Sequence, residues 1–215
     1  MHIPDGLMHP AVAAAGAVIA IGGIALALKR INGKISEDKI PTMALLSGGL
    51  FIAQMLNFPV GGGTTGHLIG AALACAIAGP MAAMIIMTTI LVIQCLLFGD
   101  GGITALGLNV LNMAVIGTVV AWSGSVFSQK SKIGILIGAW LSVFAAAGAC
   151  AAELAISNAI NPSYGITAKI SVPAMLGYHA IIGIGEAAIT VAVVSYLQKV
   201  SPKIFINGKP KEAKA

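Results

Sequence analysis

The chain has 215 residues, of which 58% are hydrophobic and only 9% charged, against roughly 25% charged in an ordinary soluble domain. A polypeptide of that composition cannot cover itself with polar surface, so a water-soluble enzyme domain is excluded and lipid is the solvent. The formal charge of +5 does not point to nucleic acid, because the basic residues lie in short runs between apolar segments and no aromatic-rich polar platform accompanies them.

In chain order, the opening Met1-His-Ile-Pro-Asp-Gly-Leu-Met-His-Pro10 has no basic n-region and carries Pro4 and Asp5, so it does not read as a signal peptide. Met1 is expected to be retained, since His2 is bulky and initiator removal needs a small second residue; the chain then starts with a free amine. Apolar runs separated by turn-formers predict helices at 11–28, 41–58, 67–79, 81–98, 106–127, 133–156 and 174–197. The fold class is all-α, a polytopic membrane bundle of seven transmembrane helices. Residues 1–200 form a single integral-membrane domain, and 201–215 a flexible basic cytoplasmic tail.

The third helix is short, since residues 67–79 rise only ~20 Å against a hydrocarbon core of ~30 Å. It could be half of a kinked span running 67–98, and charge decides the matter, because Lys and Arg are retained on the cytoplasmic side. With seven spans and the N-terminus outside, eleven of the twelve basic residues fall inside and only Lys169 lies outside. Merging 67–98 leaves only Lys29, Arg30, Lys34, Lys39 and Lys169 inside. Seven spans, an outside N-terminus and a cytoplasmic C-terminus follow. The connection Asn57–Gly66 must then dip into the membrane, where irregular backbone survives only if it is buried in protein or lines a wet cavity, so it predicts a pocket opening outward. Glycines 61, 62, 63 and 66 allow it to fold tightly. Runs such as Ala145–Ala149 permit close helix packing, and Cys75, Cys95 and Cys150, without paired spacing, read as packing residues.

Ionisable groups are scarce in such a chain and therefore informative: His2, His9, His67, His179, Asp5, Asp100, Glu153 and Glu186. The α-amine of Met1, the amide nitrogen of His2 and the His2 imidazole can close a five-membered and a six-membered chelate ring on one cation. A deprotonated amide suits late first-row ions such as Ni²⁺, Cu²⁺ and, with less ease, Co²⁺. His67 ends the Gly-rich loop on the side where charge places the N-terminus and can supply a fourth nitrogen. The plainer alternatives are a disordered His2 and a His67 that serves an interfacial turn.

The strings Met1-His-Ile-Pro-Asp-Gly6, Asn57-Phe-Pro-Val60 with Gly62-Gly-Thr-Thr-Gly-His67, Asp100-Gly-Gly-Ile-Thr-Ala-Leu-Gly107 with Asn109 and Asn112-Met113, and His179-Ala-Ile-Ile-Gly-Ile-Gly-Glu-Ala-Ala-Ile-Thr190 together resemble the CbiM/NikM family, the substrate-binding S-components of energy-coupling-factor (ECF) type ABC transporters. The resemblance implies a seven-helix protein of the prokaryotic plasma membrane. In it the Met1 amine, the His2 amide and imidazole and the His67 imidazole hold Ni²⁺ or Co²⁺ in a plane, as transported ligand with no catalytic cofactor. Implied partners are a membrane coupling (T) component, ATPase subunits and a small accessory membrane protein of the N type; cobalt supply for cobalamin biosynthesis falls within this role. One departure is Val60-Gly-Gly where Val-Pro-Gly is expected.

His179 and Glu186 share a face of the last helix and either orient the loop or the N-terminal tail around the ion or simply join helices. Asn109 and Asn112 pose the same choice, with a structural role favoured. For Asp100 and Glu153 ordinary solvation is favoured over cation attraction, and for His9 a capping role. No GxxxxGK[ST] loop is present, so energy must come from other subunits. The rival readings are a vitamin-type S-component or secondary carrier, which needs tryptophans lining a larger pocket, and an intramembrane metalloenzyme, which needs an open coordination position and a base such as Glu186.

Overall fold

The computed structural model describes residues 1–33, 35–61, 64–127 and 131–206. Helix α1 (Pro10–Ile31) starts where the sequence sets two start signals side by side. Pro10 stands at the first turn, where its missing N–H is no loss, and His9 caps the end by accepting the Ala11 N–H at Nδ1, 3.2 Å. A single 3₁₀ turn, Glu37–Lys39, leads into α2 (Ile40–Met55). Two three-residue strands follow, β1 (Phe58–Val60) and β2 (Thr64–Gly66), paired antiparallel with Phe58 opposite Gly66 and Val60 opposite Thr64. Helical periodicity could not reveal this hairpin, which gives backbone groups partners where helix is interrupted.

Helix α3 (Ala71–Ala78) is followed, across Gly79, by α4 (Pro80–Ile93), which ends in a π-turn over Gln94–Phe98. Helix α5 (Leu106–Asn109) passes through a second π-helical stretch, Val110–Ile116, into α6 (Gly117–Phe127). Helices α7 (Lys132–Ile160) and α8 (Ala168–Val200) complete the bundle. Each of the seven predicted segments thus holds a helix. Five helical stretches, Pro10–Ile31, Pro80–Phe98, Leu106–Gly124, Lys132–Ile160 and Ala168–Val200, are long and apolar enough to cross a membrane; α2 and α3 are shorter.

The packing is that of a protein whose solvent is lipid. Small residues such as Ala71, Ala74, Ala83, Ala146 and Ala147 fill the interior, while Val18, Leu45, Ile181 and Ile184 face outward. Polar side chains are gathered inside instead, among them Gln54, Gln94, Asn109, Asn112, His179 and Glu186.

Helix α3 fixes the depth of the loop before it. Its last turn lies at the end of the bundle that carries the chain's C-terminal segment, because Ile206 N donates to the Ile77 carbonyl at 2.9 Å and Lys39 Nζ to the Lys203 carbonyl at 2.9 Å. The hairpin lies toward the opposite end, where Asn57 Nδ2 donates to Asp100 Oδ2 at 3.0 Å. Eight residues rise only ~12 Å, so His67–Gly70 descends in non-helical form into the bundle. Ser201–Ile206, the start of the predicted tail, is held by these same contacts. Of the residues used above, Lys34, Gly62, Gly63, Lys130, Lys209, Lys211 and Lys214 lie outside those described.

Candidate metal centre

The residues ahead of α1 form no regular element, yet Met1, His2 and Ile3 are buried to 1%, 3% and 0% exposure. Buried irregular backbone must find partners, and several here are identifiable. Ile3 N donates to Asn109 Oδ1 at 2.9 Å, and the Ile3 carbonyl accepts from Asn109 Nδ2 at 3.2 Å and from Gly102 N at 2.8 Å. Asp5 Oδ1 accepts from the amide and hydroxyl of Thr104, which holds its carboxyl below the usual range. The Leu7 carbonyl accepts from Gly165 N at 2.6 Å, and His9 N donates to Ser157 Oγ at 3.2 Å. Gly101 and Gly102 are required here. Gly101 has φ +94°, and a Cβ at Gly102 would fall 2.3 Å from the Asp5 nitrogen.

This threading brings the first two residues against the β-hairpin and the end of α4. The Met1 amine donates to the Thr65 carbonyl and, at 3.1 Å, to Thr65 Oγ1; His2 N donates to the same hydroxyl at 3.2 Å. Pro59 stands opposite Thr65 and has no N–H, so β1 does not compete for that carbonyl. Burial lowers the Met1 amine from 8.0 to about 5, with Cys150 and then Asp100 opposing the shift, so it is a neutral lone-pair donor at pH 7. Burial, then the adjacent amine, lowers His2 from 6.5 to about 3, while Gln94 opposes.

The two imidazoles face each other, ring centroids 4.6 Å apart, each with one nitrogen engaged and the other free. His2 Nε2 lies 3.1 Å from Gln94 Oε1, which places the ring hydrogen on Nε2 and leaves Nδ1 as an unprotonated donor. His67 Nδ1 lies 2.9 Å from the Leu68 carbonyl, which in the same way frees Nε2. Both free nitrogens are buried without a hydrogen-bond partner. In that tautomer the contact between His2 Nδ1 and Asp100 Oδ1, 3.3 Å, holds no hydrogen, and a cation would turn it from unfavourable to favourable. Burial raises the Asp100 carboxyl, opposed by the Met1 amine and then Asn57. Among the described residues no three His, Cys, Asp or Glu side chains converge as a cage. The Met1 amine and the His2 amide, both bonded to Thr65, are main-chain nitrogens beside these rings.

The other singled-out residues distribute themselves around this point. Glu186 reaches the loop, accepting from Ile69 N at 2.6 Å and Gly70 N at 2.8 Å; it fixes the non-helical segment just after His67. His179 Nδ1 contacts the Met175 carbonyl of its own helix at 2.8 Å, and its Nε2 is buried without a partner. Asn109 holds the tail, whereas Asn112 donates to Glu153 Oε2 at 2.7 Å. Asp100 lies against His2, where solvation was the favoured expectation. Two contributors escaped sequence reasoning. Gln94 was detectable as the single amide in the apolar run Met87–Phe98, and the π-turn that begins with it is a common feature of functional sites. Thr65 was visible only as part of a motif.

A family described as CbiM, cobalt uptake substrate-specific transmembrane region, matches residues 2–204. A putative fused nickel transport protein, NikMN, of Archaeoglobus fulgidus is 35% identical over 95% of this chain and 68% of its own length. A putative metal transport protein of Methanocaldococcus jannaschii is 36% identical over 96% of both chains. A crystal structure described as a transition metal transporter superposes with a TM-score of 0.88 at 38% identity, covering 93% of both chains.

Proposed function

Since this chain belongs to the CbiM family, the substrate-specific transmembrane components of cobalt and nickel transport, we propose that it captures Ni²⁺ or Co²⁺ through four nitrogens: the Met1 amine, the His2 amide, His2 Nδ1 and His67 Nε2. The protein is multi-pass in the membrane. The observation that carries the reading is the pair of buried imidazole nitrogens, His2 Nδ1 and His67 Nε2, left without hydrogen-bond partners beside the buried Met1 amine.

The chain's own residues divide the work. Gln94 and the Leu68 carbonyl fix the two ring tautomers. Asn109 seats the tail and Glu186 seats the loop. Asp100 contributes negative charge at the mouth. Coordination by the His2 nitrogen releases its proton to solvent, and the resulting anion offsets part of the ion's charge in a site of low dielectric. The seven-span arrangement, with the N-terminus outside and the C-terminus cytoplasmic, puts the site on the face where the ion arrives. A coupling (T) component, ATPase subunits and a small accessory membrane protein of the N type complete the ECF-type importer, since this chain has no phosphate loop of its own.

The rival readings lose their supports. Trp140 stacks on Phe144 and donates to the Ala180 carbonyl at 3.0 Å, and Trp122 is 45% exposed on the outer surface, so neither lines a vitamin pocket. Both oxygens of Glu186 accept backbone N–H groups of the loop after His67, which commits the carboxylate to seating that loop. The test is to extend the N-terminus by one residue and, separately, to acetylate it, then titrate Ni²⁺ and Co²⁺ in detergent. Binding should be abolished in both; unchanged affinity refutes main-chain ligation.

A further inference from the structure

Thr65 Oγ1 is nearly equidistant from the Met1 amine, at 3.1 Å, and the His2 amide nitrogen, at 3.2 Å. It therefore lies close to the plane that bisects the two nitrogens. A cation that closes a five-membered ring through the same two atoms lies in that plane too, only nearer, at about 2 Å from each. The His2 N–H points at the hydroxyl, and the in-plane lone pair exposed when that proton leaves points along the same line. Any ion bound by these nitrogens must displace Oγ1 outward.

We propose that the Thr65 hydroxyl is a placeholder for the ion: in the metal-free protein it bridges the amine and the amide, holds them on one side of the Met1–His2 peptide as a chelate ring requires, and turns aside when the cation enters. This rests on the four-nitrogen reading given above and adds a positioning residue to it. The hairpin suits the task. Thr65 contributes its carbonyl as well as its hydroxyl to the amine, so one residue holds the amine in place, and the amine rotates to turn its lone pair toward the position Oγ1 vacates when the cation enters. A chain terminus left free would otherwise sample many conformations and lose that entropy on binding, and preorganisation removes the cost in advance. Pairing of β2 with β1 fixes the backbone from which the hydroxyl acts.

The experiment compares Thr65→Val, which keeps the shape and loses the hydroxyl, with Thr65→Ser, which keeps the hydroxyl. Three quantities are read: Ni²⁺ affinity, the absorption spectrum at saturating Ni²⁺, and the rate at which a reagent selective for N-terminal amines labels the metal-free protein. Loss of two neutral hydrogen bonds from the docked tail should weaken Thr65→Val about tenfold. Its amine should label faster, its saturated spectrum should match the parent, and Thr65→Ser should restore affinity and protection. Unchanged affinity and labelling in Thr65→Val overturns the proposal, as does Thr65→Ser behaving like Thr65→Val. A shifted spectrum at saturation also overturns it, by making the hydroxyl a ligand. Should Thr65→Val fail to fold, Thr65→Ala carries the same readings. A parent protein that binds Ni²⁺ equally well when acetylated sinks the four-nitrogen reading itself, an outcome distinct from all of these.

Discussion

Helices α7 and α8 and the nine residues ahead of α1 are both buried in the same bundle, yet they are held by different means. Helix α7 buries Ala139, Val143, Ala146, Ala147 and Cys150 completely, and only a few polar contacts cross to α8, such as Trp140 Nε1 to the Ala180 carbonyl and Ser171 Oγ to the Ala151 carbonyl. Each helix satisfies its own backbone, so shape is enough to join them. The tail has no such internal bonding. Its backbone groups are met instead by side chains and loops from elsewhere in the chain: Asn109 and Gly102 at Ile3, Thr65 at Met1 and His2, Ser157 at His9. In a membrane protein, irregular backbone is thus affordable only where polar side chains are committed to it, and those commitments mark where function lies.

The largest effect should come from protons, because the two regions respond to them differently. Folding lowers the Met1 amine from 8.0 to about 5 and His2 from 6.5 to about 3. Both folded values lie below the unfolded ones, so the docked tail carries fewer protons than a loose one. Docking is fully favoured above pH 8, weakens as pH falls from 8 toward 5 on account of the amine, and weakens again from 6.5 toward 3 on account of the ring. In the docked protein the amine is already neutral, so between pH 8 and 6.5 metal binding releases only the amide proton and affinity should fall about tenfold per pH unit. Asn109→Ala loosens the tail and obliges the amine to lose its proton as well, so its affinity should fall about a hundredfold per unit over the same range. Metal titrations at four pH values measure both slopes. Equal slopes in the two proteins would erase the distinction between a docked and a free terminus.

A smaller loss is expected at Gln94. Gln94→Leu keeps the bulk inside the π-turn but removes the acceptor at His2 Nε2, so the ring is free to carry its hydrogen on the nitrogen that should ligate. Residues that orient a metal-binding imidazole typically contribute about 10–100-fold in affinity. That range, with little change in thermal stability, is the expected result of Ni²⁺ titration. A large drop in melting temperature with intact affinity would place Gln94 among the packing residues instead.

What could be read in advance divides along the same line. The seven helical segments were legible because apolar runs and Gly-Pro punctuation are local signals, and the short α3 was legible from its length alone. His2 and His67 were legible because a histidine beside a free amine and another beside a Gly-rich loop have a chemical reason to meet. The β1–β2 hairpin was not, since three-residue strands leave no period to detect. Nor was the direction of Gln94, whose side chain lies at the start of a π-turn that helical periodicity does not reveal. Asp100 was read as solvated for a similar cause: its contact with His2 is made by the tail folding back, a pairing of residues far apart in the chain.

The weakest effect belongs to the shell. Ile181 and Ile184 on α8 are 72% and 64% exposed, while His179 and Glu186 on the same helix are buried at 0% and 2%. Truncation of Ile181 to alanine removes methyl groups from a surface where lipid tails replace them, and it opens no cavity, because nothing in the protein encloses the side chain. Stability in detergent should shift by no more than about 0.5 kcal/mol, as for other substitutions away from packed or bonded sites, and Ni²⁺ affinity should not move. The measurement matters because α8 also carries the carboxylate that seats the loop after His67. If Ile181→Ala weakens metal binding, then the position of Glu186, and with it the loop, is set by how the outer face of α8 meets its surroundings, and the shell would share in building the site it encloses.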